Sequence, residues 1–495
     1  MLKTGAQKVS IKDLLAKLDI GNSVAEFDVQ LQSYFLETQI YMDFINDKYD
    51  IISGDKGTGK TAIYKIVRDR YRSIPELKDV ELIAGFNDSG NPIFRRLSET
   101  EILSEVQYIT IWKNYIISLI GNYILDVCEG AYTQSMEELD RILQALDLRT
   151  RNASASTVFS RILDLINRIR AEIELRITET GFPAIWSRLD FSGTPIQEVN
   201  HQRIINSDDA LQILDQCLSD LDIRVWMILD RLDEAFAGFQ NIEIPALRAL
   251  LRTYLDMQAY TNIKLKLFVR NDLFRKVIKG GFVNLTHVNA RRIEIRWLPE
   301  DLFSLLCRRI KNSEDFLNSL GVSADIDDEA LFSIIFPPQI DKGSKKPKTW
   351  NWILARIRDG NNVLPPRNLI DLVNETKQAQ LRREERNPRE FKDGVYLFEP
   401  DALKRGLEAL SEKRVHDTLL AESGEIAQYI EAFKGSKAEH NKETIKRILG
   451  VTDEELERIL DELKSIGFLE VVGENYKIPM LYRIGLNITQ GKAFS

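Results

Sequence analysis

Gly54-Asp55-Lys56-Gly57-Thr58-Gly59-Lys60-Thr61 is the stretch on which the reading of this 495-residue chain turns. It fits the pattern GxxxxGK[ST], in which successive backbone N–H groups point into a concavity that accepts phosphate oxygens. Glycines there allow close backbone approach and positive φ. The preceding Tyr49-Asp50-Ile51-Ile52-Ser53 reads as a short strand, and Ile63, Ile66 and Val67 mark one face of a following helix. Strand, glycine loop and helix together are the context the motif requires, and a chance match is expected in only about one chain in fifty of this length. Every residue from Gly54 to Thr61 is therefore a candidate nucleotide contact. Lys60 is expected along the β- and γ-phosphates and Thr61 on Mg²⁺, beneath the positive end of the helix. ATP is the expected nucleotide, since no separate guanine-specific motif is evident.

Working outward, Ile223-Arg224-Val225-Trp226-Met227-Ile228-Leu229 is almost wholly apolar, as a central parallel strand should be. Ile263–Val269 alternates more and ends in Arg270, and Ile293–Trp297 suits an edge strand. Helical patterns between them predict an α/β fold: a P-loop NTPase with a parallel sheet covered by helices. Such a loop needs a carboxylate at the end of a neighbouring strand, and Leu229-Asp230-Arg231-Leu232-Asp233-Glu234 supplies three. Asp230 is the expected Mg²⁺ partner through water, and Asp233 or Glu234 the group that orients or deprotonates the attacking water. The bland alternative is an acidic loop favouring a helix N-terminus. Arg270 is a candidate sensor of the γ-phosphate, against an alternative in which it pairs with a neighbouring acid. Arg367, in Leu364-Pro365-Pro366-Arg367, is a second candidate sensor reaching back from the helical lid, against an alternative as a structural ion pair, and Arg291 or Arg292 could serve a neighbouring copy.

The net charge of -8 argues against a broad grip on nucleic acid or an anionic membrane. Three scattered cysteines (Cys128, Cys217, Cys307) fit a reducing compartment, and four histidines without ligand spacing argue against structural zinc. No apolar run approaches a membrane span, so a cytoplasmic protein is expected. Four parts are predicted: an N-terminal helical segment (1–46), an ATPase core (47–298), a helical lid (299–410) and a winged-helix domain (411–495). Within the core, about 98–215 reads as a large helical insertion, with apolar spacing at Val158, Ile162, Leu165, Ile166 and Ile169. Ser10 is a plausible cap for a helix with Ile11, Leu14, Leu15 and Leu18 inward, and Ala25 to about Asn46 reads as a second helix. The lysine-rich Asp341–Lys348 reads first as a solvated loop.

Near the C-terminus, two helices (Glu443–Gly450 and Asp453–Ile466) precede two short strands around Gly473-Glu474-Asn475, a winged-helix pattern. The helix that would enter a DNA groove carries Asp453, Glu454, Glu455, Glu457, Asp461 and Glu462 against Arg458 and Lys464. Phosphate repulsion there favours a protein-contacting or interdomain role over DNA.

Taken together, the strand followed by Asp230-Arg231-Leu232-Asp233-Glu234 resembles the hhhhDxhDE Walker B form of STAND-type signalling ATPases. The wider arrangement is similar to the bacterial Sll1717-type P-loop ATPases, kin of AAA+ and origin-recognition ATPases. The matching residues are Ala25–Asp28, Tyr34–Thr38, Phe268–Asp272, Trp352-Ile353, Asp359-Gly360 and Pro366-Arg367. The resemblance implies ATP binding, slow or regulated hydrolysis, nucleotide-controlled homo-oligomeric assembly and a protein effector, by analogy in anti-phage defence. Alternatives are an origin-recognition-like DNA-binding ATPase and an ATP-binding scaffold that does not hydrolyse.

Overall fold

The computed structural model describes residues 9–85, 103–162, 206–232, 240–279 and 281–494. They fall into two compact units, one of Met1–Leu36, Asp55–Gly59 and Ile295–Ser495, the other of Glu37–Gly54 and Lys60–Glu294.

The second unit is built on five parallel strands. In chain order these are Ile51–Gly54 (β1), Val80–Gly85 (β2), Arg224–Leu229 (β3), Ile263–Arg270 (β4) and Arg292–Glu294 (β5). Across the sheet they run β2-β3-β4-β1-β5, every pairing parallel. The apolar stretch ending in Leu229 is thus a central strand and the stretch after Arg291 an edge, as their compositions predict. One expectation is corrected: β3 does not neighbour β1, because β4 lies between them. Adjacency in a parallel sheet is set by the crossovers, which strand composition does not report.

Side chains alternate between the two faces. On one, Phe44 of the helix Gln39–Ile45 meets Trp226 and Phe268 at 5.7 and 5.5 Å between rings, and Tyr64 of the helix Lys60–Arg70 stands edge-on to Phe268 at 5.8 Å. On the other, Met227, Leu229, Leu265 and Leu267 share a core with Tyr115, Leu247 and Tyr254 from the helices Glu105–Val127 and Gln240–Met257. The indole of Trp112 donates to the Ala246 carbonyl at 2.9 Å and ties those helices together. The described part of the insertion is therefore a layer of the core, and Val158 and Ile162 are buried in it; Leu165, Ile166 and Ile169 lie outside the described residues.

At the start of β1, Asp50 is 2% exposed and accepts from Lys266 Nζ (2.7 Å), Tyr254 Oη (2.9 Å) and Arg291 Nε (2.9 Å). Lys266 is wholly buried, also bonded to Asp47 at 2.6 Å and stacked over Trp226 at 4.0 Å.

In the first unit, Ser10 caps the helix Ile11–Lys17 by accepting the Asp13 N–H at 3.0 Å, with Ile11, Leu14 and Leu15 buried as predicted. The helix expected from Ala25 to Asn46 is instead broken into Ala25–Phe27, Leu31–Tyr34 and Gln39–Ile45. Buried Asp28 is drawn to Arg309 at 2.9 Å, and Thr38 restarts the chain by capping Tyr41, so polar side chains compete with continuous helix. The long helices Pro366–Arg386 and Pro400–Arg414 pack closely because position 406 is glycine; a Cβ there would lie 2.8 Å from the Thr376 nitrogen. A π-helical turn, Val415–Leu420, leads toward the C-terminal module. That module comprises Lys437–His440 (β6), the helices Lys442–Leu449 and Asp453–Ser465, Glu470–Val472 (β7), Asn475–Lys477 (β8) and Thr489–Lys492 (β9). Its sheet runs β7-β8-β6-β9, two strands more than the predicted hairpin. It docks on the loop at Gly360, whose N–H donates to the Gly467 carbonyl at 2.7 Å. Residues Lys342–Lys348 are exposed, as a solvated loop should be.

Candidate functional site

β1 ends at Gly54, and the chain turns through Gly57 (φ +79°) and Gly59 (φ +101°), conformations open to glycine. Thr58 folds back on the turn, its hydroxyl donating to the Asp55 carbonyl at 2.8 Å. Lys60 opens the helix Lys60–Arg70, and its ammonium donates to the Gly54 carbonyl at 2.9 Å, across the mouth of the loop. Thr61 follows in the first turn, so loop amides, lysine and hydroxyl gather at one helix N-terminus.

Asp230 follows β3 directly and is 2% exposed, and Arg231 turns the chain away at φ +58°. Burial, and then the negative charge of Asp230, raise the pKa of Tyr64. Because β1 and β3 run parallel in one sheet, Asp230 and the Gly54 end of β1 leave it at the same rim. The two segments the motif demands are thus on one side of the sheet, although β4 separates their strands. Asp233 and Glu234, the candidates for activating water, lie outside the described residues.

β4 ends at the same rim. Arg270 is forked by Asp272, with Nε to Oδ1 at 3.0 Å and Nη2 to Oδ2 at 2.9 Å. Burial opposes ionisation of Asp272, but Arg270 outweighs it and holds the carboxyl below its ordinary pKa. Asp272 is thus the neighbouring acid that the paired alternative calls for. Asn271, quoted in the sequence but not picked as a site residue, is 7% exposed and donates to Glu294 Oε1 at 2.9 Å. Glu294 ends β5, so this amide–carboxylate bridge crosses the end of β1 beside Gly54. Its signal was strand order, which one sequence does not display. Arg291 is held by Asp47 and Asp50 at the opposite end of the strands, while Arg292 donates to Ser53 Oγ at 2.9 Å and lies over the Phe274 ring at 4.2 Å.

The loop's apex, Asp55–Gly59, packs within the first unit. Trp297 Nε1 donates to the Thr58 carbonyl at 2.8 Å. The backbone N–H of Arg367, early in the helix Pro366–Arg386, approaches the Gly57 carbonyl at 3.5 Å. A Cβ on Gly57 would lie 2.9 Å from Arg367 Cβ and 3.5 Å from Pro365 Cβ. The predicted Arg367 therefore reaches the loop. Lys56 forms an ion pair with Glu422, and neither Glu422 nor Trp297 was singled out in the sequence. Tyr482 of the C-terminal module has its pKa raised by burial and by Asp359, with a further contribution from Asp55.

These residues fit a nucleotide with its metal. In such sites Mg²⁺ is held by one or two protein oxygens, phosphates and water, which matches Thr61 and the buried carboxylate of Asp230. Among the described residues no group of three or more His, Cys, Asp or Glu is arranged to cage a metal. None of their helices is long and apolar enough to cross a membrane.

No protein-family model and no curated protein matches the chain. Among solved structures, it is similar to the Walker-type ATPase PABY2304 of Pyrococcus abyssi at 10% identity, covering 92% of this chain and 96% of that one, with a TM-score of 0.40. The Aeropyrum pernix ORC2 protein in ADPNP–ADP complexes aligns at 14% identity over 91% of each chain, TM-score 0.35. The Aeropyrum pernix ORC1 protein in complex with DNA aligns at 12% identity over 94% of this chain and 96% of that one, TM-score 0.35. Likenesses this loose carry no inference about the chemistry of this chain.

Proposed function

We propose that this chain is an ATP-binding and hydrolysing P-loop ATPase that works as a nucleotide-controlled switch or assembly module. What supports the reading is that the strand entering the Gly54–Thr61 loop and the strand ending at buried Asp230 are parallel and end at the same rim of the sheet. In this reading the loop amides and Lys60 bind the triphosphate, and Thr61 with Asp230 positions the metal. Mg²⁺ supplies charge neutralisation at the transferring phosphoryl group. Asp233 or Glu234 orients or deprotonates water, and Arg367 senses occupancy from the helical lid. Arg270 acts only if its Asp272 pair opens. Residues 411–495 serve as a winged-helix domain toward a protein partner, and homo-oligomers form on ATP binding.

The test is equilibrium binding of a non-hydrolysable ATP analogue with Mg²⁺, with particle size and turnover measured alongside. Lys60→Ala is expected to lose binding at least tenfold and to abolish any ATP-dependent growth of the particle. Unchanged affinity and assembly in that variant refute the reading. The DNA-binding alternative fits a hairpin following a helix, but Asp453, Glu454, Glu455 and Glu457 are exposed there. ATP-sensitive binding of duplex at moderate salt would restore that alternative.

A further inference from the structure

We propose that the Lys56–Glu422 ion pair is a nucleotide-sensitive latch between the phosphate loop and the joint leading into the C-terminal module. The proposal rests on the reading of the loop as a triphosphate site, and adds how occupancy is reported.

Three of the contacts at the loop's apex bear on the latch. Two use its backbone carbonyls: the Trp297 indole on Thr58 and the Arg367 N–H on Gly57. The third is a charge contact, Lys56 Nζ on Glu422 Oε1, with the two side chains 35% and 32% exposed. Phosphate charge entering the amide cradle acts most directly on the third. It offers the Lys56 ammonium a competing anion and places like charge beside the Glu422 carboxylate.

Glu422 sits where such a change has somewhere to go. It comes two residues after the π-helical turn Val415–Leu420, and turns of that kind interrupt the regular helical hydrogen-bond ladder. Directly before the turn, Arg414 is bound to Asp371 of the helix that begins beside Gly57. Just beyond it, Ser423 Oγ donates back to the Leu419 carbonyl. Ser411 of the preceding helix receives the N–H of Gly485 from the C-terminal module at 3.0 Å. The joint is thus tied to the loop at one end and to the C-terminal module at the other, and Lys56–Glu422 is the tie that anion binding opposes.

Coupling is reciprocal: if nucleotide weakens the pair, the pair weakens nucleotide binding by the same factor. A partly exposed ion pair supports a coupling of about two- to fivefold. The experiment uses the full chain with the Mg²⁺ complex of a non-hydrolysable ATP analogue. Affinity is measured for wild type, Glu422→Gln, Lys56→Gln and the double variant, and amide hydrogen exchange is followed over residues 415–422. The latch predicts about two- to fivefold tighter binding in Glu422→Gln. It also predicts that nucleotide speeds exchange of 415–422 in the wild type, and that Glu422→Gln exchanges fast without it. In the Lys56→Gln background, Glu422→Gln should add nothing, because the pair is already broken.

An equal or larger gain in that background would mean plain repulsion by Glu422 and would overturn the latch. So would a wild type that binds nucleotide with no change in either readout on Glu422→Gln. Both results leave the nucleotide site intact. A wild type that binds no better than Lys60→Ala removes the site itself, and the latch with it. The charge-swapped variant, Lys56→Glu with Glu422→Lys, guards against misfolding: it should regain the slow exchange of the unliganded wild type, and fast exchange there would overturn the pairing.

Discussion

Gly57→Ala perturbs the phosphate loop in a way whose size can be worked from local geometry. Gly57 stands at φ +79°, where an L-residue pays about 1–2 kcal/mol. Its new methyl would lie 2.9 Å from Arg367 Cβ, a backbone-proximal atom that cannot swing aside as a side-chain tip can. The strain is relieved only by turning the peptide, which misdirects the amides meant for phosphate. Nucleotide binding should therefore weaken about five- to thirtyfold, the equivalent of 1–2 kcal/mol. Gly130→Ala is the matched control, since Gly130 has φ +87° and nothing within 4 Å of an added Cβ. It carries the dihedral cost without touching the loop, and should lower thermal stability while leaving affinity at the wild-type value. Calorimetric titration of both variants with the Mg²⁺–nucleotide analogue decides the matter. A Gly57→Ala protein that binds as tightly as Gly130→Ala refutes the assignment of these amides to phosphate.

Two further predictions concern the scaffold. Lys266→Met leaves Asp50 and Asp47 without their buried ammonium and should cost about 3–5 kcal/mol, the usual penalty for breaking a buried pair from one side. A fall in Tm of under 2 °C would show that the remaining donors, Arg291 and Tyr254 on Asp50 with Arg291 and Lys264 on Asp47, satisfy them. His440 of β6 is buried, its Nε2 is 2.7 Å from the Lys437 carbonyl, and Nδ1 has no partner among the described residues, so burial lowers its pKa and favours the neutral ring. The unfolded chain then binds the proton first: this contribution to stability is complete above the unfolded histidine value of about 6.5 and is lost as pH falls below it. Denaturant melts of the C-terminal module between pH 7 and 5 should lose at most about 1.4 kcal/mol per pH unit from this group, and His440→Gln should flatten that slope. An unchanged slope assigns the titration elsewhere.

What could be read from the residues follows the range over which each feature is determined. Gly54–Thr61 is a local device, complete within eight residues, and its glycines adopt the positive φ the pattern implies at Gly57 and Gly59. The position of Asp230 at the end of β3 was legible because an unbroken apolar strand ended at a carboxylate. Strand order was not: the insertion of β4 between β1 and β3 depends on how distant crossovers pack, and the Asn271–Glu294 bridge exists only because of that order. Arg270 carries two readings in the sequence, and the neighbouring acid of one of them is Asp272, two residues away. Trp297 and Glu422 lie hundreds of residues from the loop they touch, and nothing in their own neighbourhoods marks them as its contacts. The stretch from Ala25 to Asn46 forms three short helices instead of one, and the bond of buried Asp28 to Arg309, made with a residue far along the chain, is not visible in that stretch alone.

The two ends of β1 show why the loop can move without disturbing its strand. Asp50 takes four hydrogen bonds from Lys266, Tyr254 and Arg291 while being almost wholly buried. A one-residue slip would strand that carboxylate without donors and turn every β1 side chain to the wrong face. The register from Ile51 to Gly54 is consequently stiff, and so is the helix packing of Ile63, Tyr64, Ile66 and Val67 beyond the loop. Between them lie Asp55–Gly59, which belong to the first unit. A rearrangement that phosphate imposes on the loop is then expected at its contacts with Trp297, Arg367 and Glu422, all within the first unit. Nucleotide should accordingly leave amide exchange in β1 and β4 unchanged, while altering it at the starts of the helices Pro299–Lys311 and Pro366–Arg386. Exchange that changes in the strands instead would mean that β1 itself shifts, and that its buried anchor is not one.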